Sequence, residues 1–161
     1  MSISSRLLKS YENNLKSSIV SSPIYKKKII IVDDVPIFRD TYKKAFESVL
    51  TKYKIENCEC VTYNDGIYIL QTVIEDQESK LISLIVSDDQ MKFIDGKDAF
   101  EGLLSLMDSN KIDSIPYSIC VTADTDDHNV HKLLSLGFSK VMNKNLALKE
   151  IEAILKEVNI I

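Results

Sequence analysis

Four short stretches hold the residues best suited to chemistry. "IIIVDD" (29–34) and "LIVSDD" (84–89) are apolar runs that each end in two adjacent aspartates. Buried strands seldom run into paired carboxylates without a reason, because an unpaired buried charge is costly. "ICVTAD" (119–124) brings a hydroxyl, Thr122, beside the small Ala123, and one ammonium, Lys144, follows "KVMN" (140–143). Carboxylates held together repel and raise one another's pKa unless a cation intervenes. A hard divalent ion meets that need, and Mg²⁺ is the natural candidate because it binds through a few carboxylates, waters and a phosphate. Lys144 adds a fixed charge for a carboxylate or a phosphoryl oxygen, and Thr122 can donate to a second oxygen. These groups suit phosphoryl transfer, in which positioning and charge neutralisation supply most of the catalysis.

Positioning them requires strands that end at one edge. From residue 27 onward, strand and helix signals alternate. "KKIIIVDD" is a β-branched run that reads as a buried strand. Pro36 then opens "PIFRDTYKKAFESVLTKY", where Ile37, Phe38, Tyr42, Ala45, Phe46, Val49, Leu50 and Tyr53 recur at helical spacing. Proline is best tolerated in a first helical turn. "CECVTY" (58–63) alternates like a strand, and Asp65-Gly66 breaks it before a weaker helix reaching about Ile74. "LISLIVS" (81–87) is the third strand, and Ala99, Phe100, Leu103, Leu104 and Met107 mark the helix after it.

"YSICVTA" (117–123) is the fourth strand. Asp124 to Asp127 place negative charge where a helix should begin, which its dipole favours. Val130, Leu133 and Leu134 supply that helix's buried face, and Gly137 ends it. "KVMN" is a weak fifth strand, and Leu148, Ile151, Ile154, Leu155 and Val158 mark the last helix. Five βα units with short connections predict an α/β protein, a doubly wound parallel sheet sandwiched between helices in three layers. Sites in such sheets lie at the carboxyl ends of the strands, where the paired aspartates, Thr122 and Lys144 all fall.

The order Asp33-Asp34, Asp88 within "DDQMKFIDG", Thr122-Ala123 and Lys144 resembles the receiver domain of two-component response regulators, a flavodoxin-like (βα)5 fold. The resemblance covers about residues 27–158. It implies that Asp88 is the phosphoacceptor, since the family's acceptor stands three residues before a methionine, here Met91, with an aspartate-glycine turn downstream, here Asp95-Gly96. Pleating separates Asp88 from Asp89 independently, because neighbours on a strand point to opposite sides. The resemblance also implies that Asp34 ligates Mg²⁺ directly (Mn²⁺ serving as a substitute) and that Asp33 acts chiefly through water. Asp88 and the backbone carbonyl of Gln90 complete the ligands. Thr122 would bind phosphoryl oxygens, Ala123 would leave them space, and Lys144 would pair with the acyl phosphate. Gln90 and Asp124 would flank the hydrolytic water and tune the lifetime of the mark.

Three departures stand out. Lys92 replaces the family's usual proline after the methionine. Asn145 replaces the proline whose cis bond usually follows the lysine. A non-proline cis bond costs about 2.5–4 kcal/mol, so a trans bond or a strained loop is expected after Lys144. Val141 occupies the place of the aromatic that usually swings inward, so it is the switch position in doubt.

Composition narrows the class. With 161 residues, 45% hydrophobic and 27% charged, the chain reads as an ordinary globular protein. A net charge of −4 advertises no nucleic-acid surface. Residues 1–28 nevertheless carry six of the twenty Lys and Arg and a single acid, Glu12, about +5, which leaves the body about −9. Residues 1–26 are expected to be an N-terminal extension, a helix or linker, with Leu7, Leu8, Tyr11, Leu15 and Ile19 able to share a face; the receiver itself would span 27–161. Cys58, Cys60 and Cys120 fit no zinc or CxxC spacing and read as reduced thiols of a cytoplasmic protein. No run approaches a membrane span. His128 and His131 read as exposed helix residues, and "DTDDHN" lacks the glycine and closing glutamate of a calcium loop.

The reading is a signalling domain rather than an enzyme, phosphorylated by a histidine kinase or a histidine phosphotransfer protein. Its output would pass to a downstream protein through residues 126–158, from a stand-alone regulator or from the receiver of a hybrid kinase. Almost no chain remains after residue 158 for an output domain. A pseudo-receiver that signals without phosphorylation is the alternative. A Mg²⁺-dependent phosphatase is disfavoured because Gln90 stands where such enzymes place a second acid.

Overall fold

Strand β1 (Lys27–Val32) shows why the chain folds as a three-layer sandwich. Ile29 and Ile31 pack on one side of the sheet, and Ile30 and Val32 on the other. A β-branched run buried on both faces is the signature of a central strand in a parallel sheet. The computed structural model describes residues 25–161. The expected N-terminal helix or linker lies outside the described residues.

The elements follow in strict alternation: β1, α1 (Pro36–Lys52), β2 (Cys58–Tyr63), α2 (Ile67–Glu75), β3 (Ile82–Asp88), α3 (Gly96–Asp108), β4 (Ser118–Thr122), α4 (Asp127–Ser135), β5 (Lys140–Asn143) and α5 (Leu148–Glu157). The five strands form one parallel sheet in the order β2-β1-β3-β4-β5. From β1 the chain steps outward to β2, then crosses back over β1 to β3 and continues away on that side to β4 and β5. A crevice therefore opens between the ends of β1 and β3.

Two cores hold the layers. Phe46, Val49 and Leu50 of α1 and Ile151, Ile154 and Leu155 of α5 cover Ile29, Ile31, Leu84, Val86, Ile119 and Val121. On the far side, Ile69 and Val73 of α2, Phe100 and Leu103 of α3 and Leu133 of α4 cover Ile30, Val32, Ile85 and Cys120. Full burial of one such side chain contributes roughly 1.5–3 kcal/mol. Cys58 and Cys60 join the first core and Cys120 the second, all three as free thiols. Burial pushes the Cys60 thiol up to about 12, so it stays a neutral core group.

Helix starts are set locally. Pro36 occupies the first turn of α1, Asp95 Oδ1 accepts from Asp98 N at 2.8 Å to cap α3, and Asp126 Oδ1 accepts from the amides of His128 and Asn129 to cap α4. Gly137 follows α4 at φ +105°, a conformation that a side chain would strain.

Four expectations about helix faces need correction. Ile37 is 69% exposed, Tyr53, at the end of α1, is 37% exposed, Leu134 is 42% exposed and Leu148 is 56% exposed. Ile37 and Leu148 lie in the first turns of α1 and α5, where each helix is only beginning to pack on the sheet. On α4 a polar residue, Asn129, takes the inward position, because its Nδ2 donates to the carbonyl of Asp124 at 2.8 Å.

Candidate functional site

The switch point gathers most of the chemistry foreseen in the sequence. β1 delivers Asp33, fully buried, and Asp34, half-buried, while β3 delivers the buried Asp88 and Asp89. β4 ends in Thr122, 1% exposed, and the loop after β5 brings in Lys144. Asp34, Asp88, Asp89, Gln90, Thr122, Ala123, Asp124 and Lys144 line one cleft of about 410 Å³. Asp33 lies too deep to form part of its wall. Val141 is half-buried on β5 against the second core, away from the cleft lining.

One carboxylate oxygen each from Asp33, Asp34 and Asp88 lies within 4.8 Å of the others. Lys144 Nζ donates to Asp88 Oδ2 at 2.8 Å and stands 3.7 Å from Asp33 Oδ2. Asp33 is further fixed by the amide of Val35, which donates to its Oδ1 at 2.9 Å, and by Arg39, whose Nη1 donates to its carbonyl at 2.7 Å. Even so, the buried Oδ2 of Asp33 has no hydrogen-bond partner. A buried carboxylate oxygen left unpaired is expensive, and a bound cation removes that cost.

The electrostatics carry the same signature. Burial pushes the Asp88 carboxyl up to about 6; the Lys144 hydrogen bond pulls it back, while Asp33 and Asp89 push it higher. Burial raises Asp33 as well, against the opposing pull of the Val35 amide and Lys144. Lys144 loses some basicity to burial, yet Asp88 and Asp33 outweigh that and hold it above its ordinary value. A group of acids raised by desolvation and mutual repulsion, served by one lysine, marks a functional cleft.

Asp88 and Asp89 face different cations. Asp88 faces Lys144, whereas Asp89 Oδ2 lies 3.8 Å from Lys97 Nζ. Gly96 lets α3 begin against the end of β3, since a Cβ there would stand 2.2 Å from the Asp88 carbonyl oxygen. Thr122 Oγ1 accepts from Asp124 N at 3.0 Å, and the peptide bond from Lys144 to Asn145 is trans. Of the two outcomes expected for that bond, the trans one holds.

The helical spacing marks Phe38 and Tyr42 only as members of the apolar series of α1. They also reach Lys144: its Nζ stands 4.7 Å from the Phe38 ring centroid, and the Tyr42 hydroxyl donates to its backbone carbonyl at 2.7 Å. The available signal was two aromatics one helical turn apart, just after the Asp33-Asp34 strand end.

Solved structures with this fold are numerous. The receiver domain of a sensor histidine kinase from Pseudomonas aeruginosa, whose cleft holds a coordinated magnesium ion, matches with a TM-score of 0.64 and 16% identity over 83% of this chain and 98% of that one. A response regulator receiver domain protein from Clostridium thermocellum matches with a TM-score of 0.62 and 17% identity, over 82% and 93% of the two chains. The chemotaxis protein CheY4 of Vibrio cholerae matches with a TM-score of 0.60 and 15% identity, over 83% and 98%. The chain has the receiver-domain fold. No family model and no curated protein matches the sequence. Among the described residues, no helix of this receiver fold is long and apolar enough to cross a membrane.

Proposed function

We propose that this chain is a phosphoacceptor module of two-component or phosphorelay signalling, with Asp88 as acceptor. The observation that carries the reading is the cluster of Asp33, Asp34 and Asp88 around Lys144 at the switch point of a receiver fold.

The donor is a phosphohistidine, carried by a histidine kinase or a histidine phosphotransfer protein. An Asp88 carboxylate oxygen attacks phosphorus; the P–N bond breaks, and the imidazole keeps its electron pair and takes a proton from solvent. Asp33, Asp34, Asp88 and the Gln90 carbonyl would hold Mg²⁺, which when bound neutralises the clustered carboxylates and phosphoryl oxygens. The Oδ2 of Asp33, which has no hydrogen-bond partner, and the raised acids fit such an ion. Lys144 then follows the charge from the carboxylate to the phosphoryl group. Thr122 turns its hydroxyl to a phosphoryl oxygen, with Ala123 leaving room. Water later attacks phosphorus, giving a proton to solvent; the P–O bond to Asp88 breaks, the carboxylate leaves with the electron pair and inorganic phosphate is released, at a rate tuned by Gln90 and Asp124 at the rim. The intact carboxylate cluster favours this reading over a receiver that signals by partner binding alone.

Output passes through the side formed by α4, β5 and α5, within residues 126–158. The exposed Leu134 and Leu148 give that side apolar anchors for a protein partner. Val141 cannot act as a swinging ring, so coupling falls on Thr122, whose Oγ1 accepts from the Asp124 amide, and on Asn129, which holds the Asp124 carbonyl from α4.

The test is incubation with phosphoramidate and Mg²⁺, followed by hydroxylamine. An acyl phosphate on Asp88 is cleaved by hydroxylamine, whereas a Ser or Thr phosphate survives. Absence of a labile label with every donor, including a phosphorylated histidine phosphotransfer protein, would refute the reading.

A further inference from the structure

Lys144 sits on the loop after a four-residue strand, with a long flexible stem, yet it must present its ammonium to one carboxylate. Such a side chain gives up considerable rotamer freedom when fixed. Its backbone is held from two directions. The amide donates to the Thr122 carbonyl at 3.1 Å, and the carbonyl accepts from the Tyr42 hydroxyl at 2.7 Å across 102 positions of sequence. Asn145 supplies no ring restraint of its own, although its amide donates to Asn143 Oδ1 at 3.0 Å.

The ammonium is held as well. Its Nζ lies 4.7 Å from the centre of the Phe38 ring while donating to Asp88 at 2.8 Å. A ring face attracts a cation without accepting a directed hydrogen bond, so the three N–H groups remain free for oxygen atoms. Phe38 and Tyr42 stand one turn apart on α1, with ring centroids 6.4 Å apart at 25°. Pro36 begins the helix immediately before them, so α1 sets both rings from one rigid element.

We infer that Phe38 and Tyr42 are positioning residues for Lys144, one aiming its ammonium at Asp88 and the other anchoring its backbone. This rests on the reading of Lys144 as partner of the acyl phosphate. The ring face lets the ammonium shift from the Asp88 carboxylate to a phosphoryl oxygen without losing its aromatic contact. Neither residue touches the phosphoryl group; both act through Lys144.

Two measurements test this on the full chain. In the first, NMR of lysine side chains reads the Lys144 ε-methylene, which a ring 4.7 Å from Nζ moves upfield of the other lysines. The shift should vanish in Phe38→Leu and persist in Phe38→Tyr. In the second, the rate of acetyl-phosphate labelling should fall roughly three- to tenfold in Phe38→Leu and in Tyr42→Phe. Phe38→Leu should then have no further effect in a Lys144→Gln background. An ordinary Lys144 shift in the wild type, or an equal loss from Phe38→Leu in both backgrounds, overturns the inference. If the wild type takes no phosphate at all, the proposed function falls, and the NMR measurement alone decides whether the Phe38 ring holds the Lys144 ammonium.

Discussion

Lys144 Nζ stands 2.8 Å from Asp88 Oδ2 and 3.7 Å from Asp33 Oδ2, so one ammonium from the loop after β5 spans the ends of β1 and β3. It is the cation that lets the two buried carboxylates coexist. Removing it in Lys144→Met strands them both. The expected cost at pH 7 is about 2–4 kcal/mol, measured by urea unfolding, and it should shrink near pH 5, where Asp88 takes up a proton.

Asp88 itself should destabilise the folded protein at neutral pH in the absence of a bound cation. Its folded pKa is raised from the ordinary 3.8 to about 6, so the native state binds more protons than the unfolded chain between those values. Stability tied to this group is then greatest below about pH 4 and is lost as pH rises through about 6. Asp88→Asn should therefore raise stability by about 1–3 kcal/mol at pH 7 and by little near pH 4. A destabilised Asp88→Asn at pH 7 would contradict the account.

A divalent ion should restore what the clustered acids lose. Millimolar Mg²⁺ should raise the thermal midpoint at pH 7, and less at pH 5, where protons compete for the same oxygens. Asp34→Asn should remove most of the rise while leaving the apo midpoint nearly unchanged, because Asp34 is only half-buried. A rise that survives the substitution would place the ion elsewhere.

Gly96 links the fold to the site. A Cβ there would meet the Asp88 carbonyl oxygen at 2.2 Å and Ser87 Oγ at 2.9 Å. Gly96→Ala should cost on the order of 2–3 kcal/mol in denaturant unfolding, since backbone must move to relieve the clash. An alanine variant of unchanged stability would show that α3 can retreat freely.

Much of this architecture is legible in the sequence because burial writes the strands plainly. "IIIV" and "LIV" are apolar on both faces, and the aspartates that end them mark the sheet's carboxyl edge. The grouping of Asp33, Asp34, Asp88, Thr122 and Lys144 follows from that edge alone. Helix faces are less legible near helix ends. Ile37 and Leu148 carry an apolar period into first turns that stay exposed, and Leu134 does so where Asn129 has turned inward. Long-range contacts are the hardest to see. Nothing in "PIFRDTY" shows that its aromatics meet a lysine 102 positions beyond Tyr42, because that pairing exists only once α1 packs beside the loop after β5. The companion carboxylate Asp89 is similar: it lies buried opposite Lys97, a pairing visible only in three dimensions.

On the proposed function, Asp88 and not Asp89 accepts a phosphoryl group. Intact-mass spectrometry after incubation with acetyl phosphate tests it, with and without Mg²⁺, on the wild type, Asp88→Asn and Asp89→Asn. A Mg²⁺-dependent gain of one phosphoryl group is expected in the wild type and in Asp89→Asn, and none in Asp88→Asn. A gain that persists in Asp88→Asn and disappears in Asp89→Asn would contradict it.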